Sequence, residues 1–187
     1  MNAKYGQGGN TANADSIILR VGYLNFRALF TGDAEGSSEK LAIANVGTGG
    51  VFSDLVLGSH HGADTKGSNG KGWVEATNPH LVAFSAGHNS GYGHPRCTVV
   101  QRYIDNASNL ATMGSSLGIA CGLGSSQWGT VSTKKGVLST YMNGTITVVA
   151  RDDDTHTLSC SYNTGHCLYA TGVSSVAPSG SKEKSGR

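Results

Sequence analysis

The chain contains few charged residues, few aromatic residues and few prolines. Of its 187 residues, 14% are charged, 7% are aromatic and three are proline. The formal net charge of +2 comes from the last six residues, so the rest of the chain lacks the basic surplus typical of nucleic-acid-binding proteins. No apolar run approaches the roughly 18 residues of a membrane-spanning helix. The sequence therefore predicts no membrane segment and carries no strong nucleic-acid signal.

The four cysteines form no Cys-x-x-Cys pair, so no common zinc or redox motif is present. Their wide spacing favours free or buried thiols, with a Cys160–Cys167 bridge as the main alternative. Residues 1–6 lack the apolar stretch of a signal peptide. As written, the chain is predicted to be cytoplasmic. A missing leader sequence would make it a secreted protein, which its low charge and abundant small polar residues would also suit.

Small and polar residues are abundant: Gly, Ser, Thr and Asn make up 78 of the 187 residues, yet 37% of the chain is hydrophobic. This is enough for one modest core, and the length suits one domain. We expect a flexible N-terminal segment over 1–14, a domain over 15–170 and a disordered tail over 171–187.

Strand and helix patterns alternate along the first two thirds of the chain. The predicted strands are 17–23, 26–31, 54–58 and 80–85, and the predicted helices are 37–44, 72–77 and 98–105. Residues 113–135 are rich in Gly and Ser and are predicted to form a long irregular loop. Asn143-Gly144 predicts a hairpin between 137–142 and 145–150. The order of elements predicts an α/β fold with a mixed sheet.

Candidate functional side chains lie in three loops: Asp33 in Thr-Gly-Asp, His60 and His61 in Ser-His-His-Gly, and His94 in Gly-His-Pro. Each loop comes after a predicted strand, where open α/β sheets carry functional residues. Carboxylate and imidazole together suit zinc, manganese or iron. Each feature alone also has an ordinary explanation: Asp33 as a helix cap, the histidine pair as surface residues, and His94 as a loop residue before a proline. Only their combination points to a metal.

Residues 13–106, about half of the chain, resemble the C-terminal half of metallo-β-lactamase-fold hydrolases. The kinship is closest with the metallohydrolase domain of ComEC-type competence proteins and its free-standing relatives. The resemblance lies in the order and approximate spacing of five segments. These are 15–20, Leu-Phe-Thr-Gly-Asp at 29–33, 54–57 followed by Ser-His-His-Gly at 59–62, Asn-Pro-His-Leu-Val at 78–82, and 89–95 ending in His-Pro.

The resemblance implies the C-terminal half of an αββα sandwich with a metal centre at one edge, holding a divalent metal such as zinc or manganese. It implies that Asp33 is a bridging, catalytic carboxylate and that His60, with His61 as its competitor, is a metal ligand. His94 would be a catalytic residue that faces the substrate. Asp54 and Ser59 would orient the imidazoles.

One family motif is missing, because the His-x-His-x-Asp-His segment of the N-terminal half has no counterpart here and no histidine precedes His60. The prediction is therefore a metal-dependent hydrolase of small-molecule esters or phosphodiesters whose site is completed by a partner chain or a missing N-terminal half. The alternative is a non-catalytic binding or assembly module on the same scaffold.

Overall fold

The computed structural model describes residues 12–88, 91–124, 126–153 and 155–168. The strands in this part are β1 Leu19–Tyr23, β2 Phe26–Phe30, β3 Leu55–Leu57, β4 Leu81–Phe84, β5 Thr112–Gly122, β6 Trp128–Lys135, β7 Val137–Ser139, β8 Ile146–Ala150 and β9 His156–Cys160. The α-helices are α1 Gly36–Val51, α2 Lys71–Thr77, α3 Cys97–Asn106, α4 Thr140–Asn143 and α5 Thr164–Cys167. Two short 3-10 helices span Ala12–Asp15 and Ser59–Gly62.

The centre of the fold is a five-stranded sheet with the order β1-β2-β3-β4-β7. β1 is antiparallel to β2, and the other neighbours are parallel. Parallel neighbours need crossover connections, which α1 supplies between β2 and β3 and α2 supplies between β3 and β4. The predicted α/β class with a mixed sheet is thereby confirmed.

The sheet is covered differently on its two faces. Val56 and Val82 lie on the face that packs against α1, α2 and α3. Leu55 and Leu81 lie on the opposite face, which packs against the β8–β9 hairpin. The β8–β9 hairpin does not cover the edge strand β1, so the apolar side chains of this strand stay partly exposed. They are Leu19 at 40%, Val21 at 49% and Tyr23 at 52%.

The predicted elements of the first two thirds are confirmed with small shifts of their ends. The largest difference concerns α1, which was predicted over 37–44, whereas helical structure extends to Val51 across a kink at Gly47. Gly47 has a φ of +70° inside this helix, a conformation that glycine adopts at little cost. The glycine therefore joins two helical segments at a kink.

The prediction of an irregular loop over 113–135 is wrong. β5 and β6 form an antiparallel pair there, which includes the longest strand of the described residues. Ile119 and Cys121 alternate with the less buried Gly118 and Ala120 and join the core around α3. The abundant Gly and Ser hid this alternation, because the strands are stabilised by their packing on α3 more than by local β-propensity.

The predicted hairpin around Asn143-Gly144 is also wrong. β7 joins the main sheet beside β4, a single helical turn follows it, and β8 pairs with β9. Asn143 is fully buried, and its Oδ1 accepts a hydrogen bond from the backbone N–H of Ser139 at 3.0 Å. The Asn-Gly pair therefore ends a helical turn here.

All four cysteines are paired, as Cys97–Cys121 and Cys160–Cys167. The expectation of free thiols is wrong, the Cys160–Cys167 alternative is confirmed, and the Cys97–Cys121 bridge was not predicted. Disulfides persist in oxidising compartments. The two bridges therefore fit an extracellular setting better than the cytoplasm that the N-terminus suggested.

Within the described residues, the first regular structure begins at Ala12, a few residues earlier than expected. Residues 1–11 of the predicted flexible segment and the predicted tail over 171–187 lie outside the described residues. Across the four described ranges, no helix combines the length and apolar character that a membrane crossing requires.

Candidate functional site

The three polar loops of the sequence meet in one pocket. They follow β2, β3 and β4, and the C-terminal ends of these parallel strands lie at the same edge of the sheet. The pocket has a volume of about 420 Å³. Its walls are formed by Asp33, His60, His61, Ser85, Ala86, Gly87, Tyr92 and His94. All four candidate residues are thus brought together, while Ser85 and Tyr92 were not predicted as pocket residues.

Backbone hydrogen bonds fasten the histidine loop to the two other loops. The N–H of His60 donates to the carbonyl of Gly32, beside Asp33, at 2.9 Å. The N–H of Arg96, close to His94, donates to the carbonyl of Gly62 at 2.9 Å. The pocket is therefore built on backbone contacts between the loops.

Both histidines of the pair have left-handed backbone conformations, with φ of +49° at His60 and +58° at His61. Such conformations cost about 1 kcal/mol or more for residues other than glycine and often occur at functional sites. Gly62 follows with φ +85°, and a Cβ there would lie 2.6 Å from Cβ of Pro95. Glycine at this position allows the histidine loop and the His94 loop to approach each other closely.

His61 lies between a carbonyl group and a carboxylate. Its Nδ1 is 2.7 Å from the carbonyl oxygen of Ser85, so that this nitrogen carries the proton and donates it. Its Nε2 is 3.4 Å from Oδ1 of Asp33. In the neutral ring Nε2 has a lone pair, and two electron-pair donors then face each other. A shared cation, or protonation of His61, would stabilise this arrangement.

His60 and His94 form a second pair, with ring centroids 5.8 Å apart. Among the described residues, the Nδ1 atoms of both rings are buried and have no hydrogen-bond partner. Burial, the nearby charge of Arg96 and the neighbouring imidazoles lower the pKa of His94 to about 4, although Asp33 opposes the shift. His94 is therefore neutral at physiological pH, the form in which imidazole binds a metal or accepts a proton.

These donors suit zinc or manganese in kind, but they do not make a complete site. A hydrolytic zinc site uses three protein ligands and leaves one position open. Within the part of the chain that the structure describes, no group of three or more His, Cys, Asp or Glu residues is arranged to hold a metal ion. The pocket instead offers two separate pairs, His61 with Asp33 and His60 with His94.

The two predicted supporting residues have different positions. Asp54 precedes β3, at the end of this strand opposite the histidine pair. It accepts a hydrogen bond from the N–H of Arg27 at 2.7 Å and lies 3.9 Å from Nδ1 of His80. Ser59 directly precedes His60 and is fully buried. Asp54 therefore belongs to a different part of the fold, and the prediction that it orients the pocket imidazoles is wrong.

A buried residue that supports the loop, Asn69, was missed by the sequence reasoning. It lies in a Ser-Asn-Gly run that predicts an ordinary turn. No local signal distinguishes it, because its partners Ser59 and Tyr103 are 10 and 34 residues away in the chain.

Comparison with known proteins finds no family model, no curated protein and no solved structure that matches this chain. The function therefore has to be argued from the pocket itself.

Proposed function

We propose that this pocket is part of a metal-dependent hydrolase site of the metallo-β-lactamase type, which acts on an ester or a phosphodiester. The observation that carries the proposal is the arrangement of donors around one pocket. Nε2 of His61 faces Oδ1 of Asp33 at 3.4 Å, and the Nδ1 atoms of His60 and His94 are buried without a partner among the described residues.

Each residue has an assigned role in this proposal. Asp33 and either His60 or His61 would hold the metal, with Asp33 in the role of the bridging carboxylate. His94 faces the substrate and, being neutral, can accept a hydrogen bond from it. A bound divalent metal would supply a hydroxide nucleophile and stabilise the negative charge that develops in the transition state.

The remaining ligands come from a partner chain or from a further segment of the same protein. Two observations support this part of the proposal. The described residues contain no complete set of ligands. In addition, apolar side chains stay exposed on the sheet face next to the pocket edge, among them Leu19 and its cross-strand partner Phe30, which directly precedes the Thr31-Gly32-Asp33 loop.

The first experiment is to measure zinc and manganese per chain in the purified protein by plasma mass spectrometry. We expect bound metal that is lost in Asp33→Ala and in the double variant His60→Ala/His61→Ala. Asp105→Asn and His88→Ala are the matched controls, because these side chains do not line the pocket. Hydrolysis of bis(p-nitrophenyl) phosphate by the same proteins tests the activity. Metal content that is unchanged in the pocket variants would contradict the assignment.

The incomplete ligand set favours a second candidate function, a non-catalytic binding or assembly module on the same scaffold. In this case the pocket would bind a partner group through its imidazoles without a metal. Metal-free protein that stays inactive after zinc and manganese are added would favour this second function.

A further inference from the structure

One side chain, that of Asn69, forms hydrogen bonds to both ends of the loop that carries His60 and His61. Asn69 is fully buried under the loop. Its amide Nδ2 donates to the carbonyl of Ser59 at 2.9 Å and to the carbonyl of Ala63 at 3.0 Å. These two residues directly flank the segment 60–62, so that a single NH2 group connects both ends of the turn.

Asn69 is itself fixed by its surroundings. Its backbone N–H donates to Oε1 of Glu39 at 2.8 Å, and its carbonyl accepts from Nη1 of Arg102 at 2.9 Å. The hydroxyl of Tyr103 donates to its Oδ1 at 3.3 Å. Because Oδ1 accepts from Tyr103, the NH2 group is the end of the amide that faces the loop. Every polar group of Asn69 is therefore engaged.

The conformation of the loop depends on such a support. Two consecutive residues other than glycine have positive φ there, and this backbone is unfavourable unless surrounding contacts hold it. The two carbonyls can reach the same NH2 group only when the chain between them makes this tight turn. The side chain of Asn69 thus bonds to the strained conformation and loses a bond when the turn opens.

We propose that Asn69 is a positioning residue that holds His60 and His61 in their left-handed conformations by bonding to the backbone on either side of them. The role concerns the shape of the loop, and it does not depend on whether the pocket is hydrolytic or binds a metal. It adds to the proposed function a residue that touches neither the pocket space nor a reacting group.

The test is nuclear magnetic resonance of the metal-free protein, with Asn69→Ala compared with the wild type. Backbone chemical shifts and HN–Hα couplings of His60 and His61 report φ directly. We expect both residues to lose their left-handed φ values in Asn69→Ala, while the signals of His156 and His166, which do not line the pocket, stay unchanged. A residue that only stabilised the fold would lower the melting temperature and leave the φ values of the folded protein unchanged.

Asn78→Ala is the matched control. Asn69 and Asn78 both have a positive φ, of 53° and 36°. The side chain of Asn78 bonds to Ser108 and to the N–H of Asn109, away from the histidine loop. This variant should lower the melting temperature without moving the His60 and His61 signals. Equal shifts of the His60 and His61 signals in Asn69→Ala and Asn78→Ala would overturn the proposal.

Tyr103→Phe is the milder variant, and it decides the question if Asn69→Ala does not fold. Phenylalanine fills the same buried space and removes only the hydroxyl that orients the amide of Asn69. We expect a smaller shift of His60 and His61 in the same direction. If Asn69→Ala folds, unchanged His60 and His61 signals in that variant would overturn the proposal. If Asn69→Ala does not fold, unchanged His60 and His61 signals in Tyr103→Phe would overturn it.

Discussion

At the scale of single residues, the carboxylic acid of Glu39 is the most unusual group outside the pocket. It is only 2% exposed, in the first turn of α1. Burial raises its pKa to about 7, although the hydrogen bond from the N–H of Asn69 and the charge of Arg102 act in the opposite direction. An ordinary glutamate in the unfolded chain titrates near 4.5. The folded protein therefore holds a proton on Glu39 between about pH 4.5 and 7 that the unfolded chain releases.

Glu39→Gln should remove the contribution of this carboxyl group to the pH dependence of the free energy of unfolding. The stabilisation linked to the Glu39 proton is complete below pH 4.5 and is lost as the pH rises through 7, since the charged form is disfavoured by burial. Gln keeps the oxygen that accepts from Asn69. Relative to the wild type, the free energy of unfolding of the variant should increase by roughly 1–3 kcal/mol when the pH is raised from 5 to 8. Urea denaturation at both pH values measures this change.

The matched control for this prediction is Glu75→Gln, because the side chain of Glu75 is 51% exposed and faces Lys71 on α2. It should change the pH dependence by only a few tenths of a kcal/mol. The comparison between variant and wild type also cancels the contributions of His80, His94 and His156, whose lowered pKa values act in the opposite direction. A Glu39→Gln protein with the same pH dependence as the wild type would show that this carboxylate is ionised in the folded state.

At the scale of elements, the β5–β6 pair supports the His94 loop, which the sequence placed beside an irregular region. The N–H of Gly122, at the end of β5, donates to the carbonyl of Pro95 at 2.9 Å. A Cβ on Gly122 would overlap the backbone of Gly93. The close approach of these two glycines allows β5 to lie directly against the loop that carries His94.

Gly122→Ala should therefore force the two segments apart. We expect a loss of about 1–3 kcal/mol in free energy of unfolding, because the neighbouring atoms belong to the backbone and cannot rotate away. The ring signals of His94 should shift as well. Urea denaturation and nuclear magnetic resonance of the folded variant measure the two effects.

Gly72→Ala is the opposite case on α2. A Cβ at this position meets nothing within 4 Å. Alanine is the better helix former and should stabilise the protein by up to about 0.5–1 kcal/mol. If Gly122→Ala were as well tolerated as Gly72→Ala, Gly122 would not be in close contact with the backbone of the His94 loop.

At the scale of the whole molecule, the two disulfides connect elements that the main sheet does not join. Cys97–Cys121 connects the start of α3 to β5, across a sequence separation of 24 residues. Cys160–Cys167 connects β9 to α5 across 7 residues. The stabilisation by a disulfide grows with the length of the loop that it closes.

The Cys97–Cys121 bridge, which closes the longer loop, should therefore stabilise the protein more than the Cys160–Cys167 bridge. Chain-entropy arguments give a loss of about 3.5 kcal/mol for Cys97→Ala/Cys121→Ala and about 2.5 kcal/mol for Cys160→Ala/Cys167→Ala. Urea denaturation with and without reductant measures both losses. The variant that lacks all four cysteines serves as the control and should not respond to reductant. A wild-type midpoint that reductant leaves unchanged would contradict a structural role for either bridge.

Much of the α/β core was predictable because its signals are local. The β1–β2 hairpin and the alternation of β3, α2 and β4 follow from hydrophobic patterns within about ten residues of the chain. Asp33 and the histidines could be assigned to one edge of the sheet, since loops after successive parallel strands meet there. The pocket contains all of them. Their roles as metal ligands and catalytic residues stay predictions.

The sequence by itself thus determined the fold class and which loops carry the polar side chains. The tertiary structure alone decided that β8 pairs with β9, that Cys97 meets Cys121, and that Asn69 lies beneath the histidine loop. It also decided the left-handed backbone of His60 and His61. The physical reason is the same in each case. These features are stabilised by contacts between residues far apart in the chain, whose energy exceeds the weak local preferences that a sequence pattern reports.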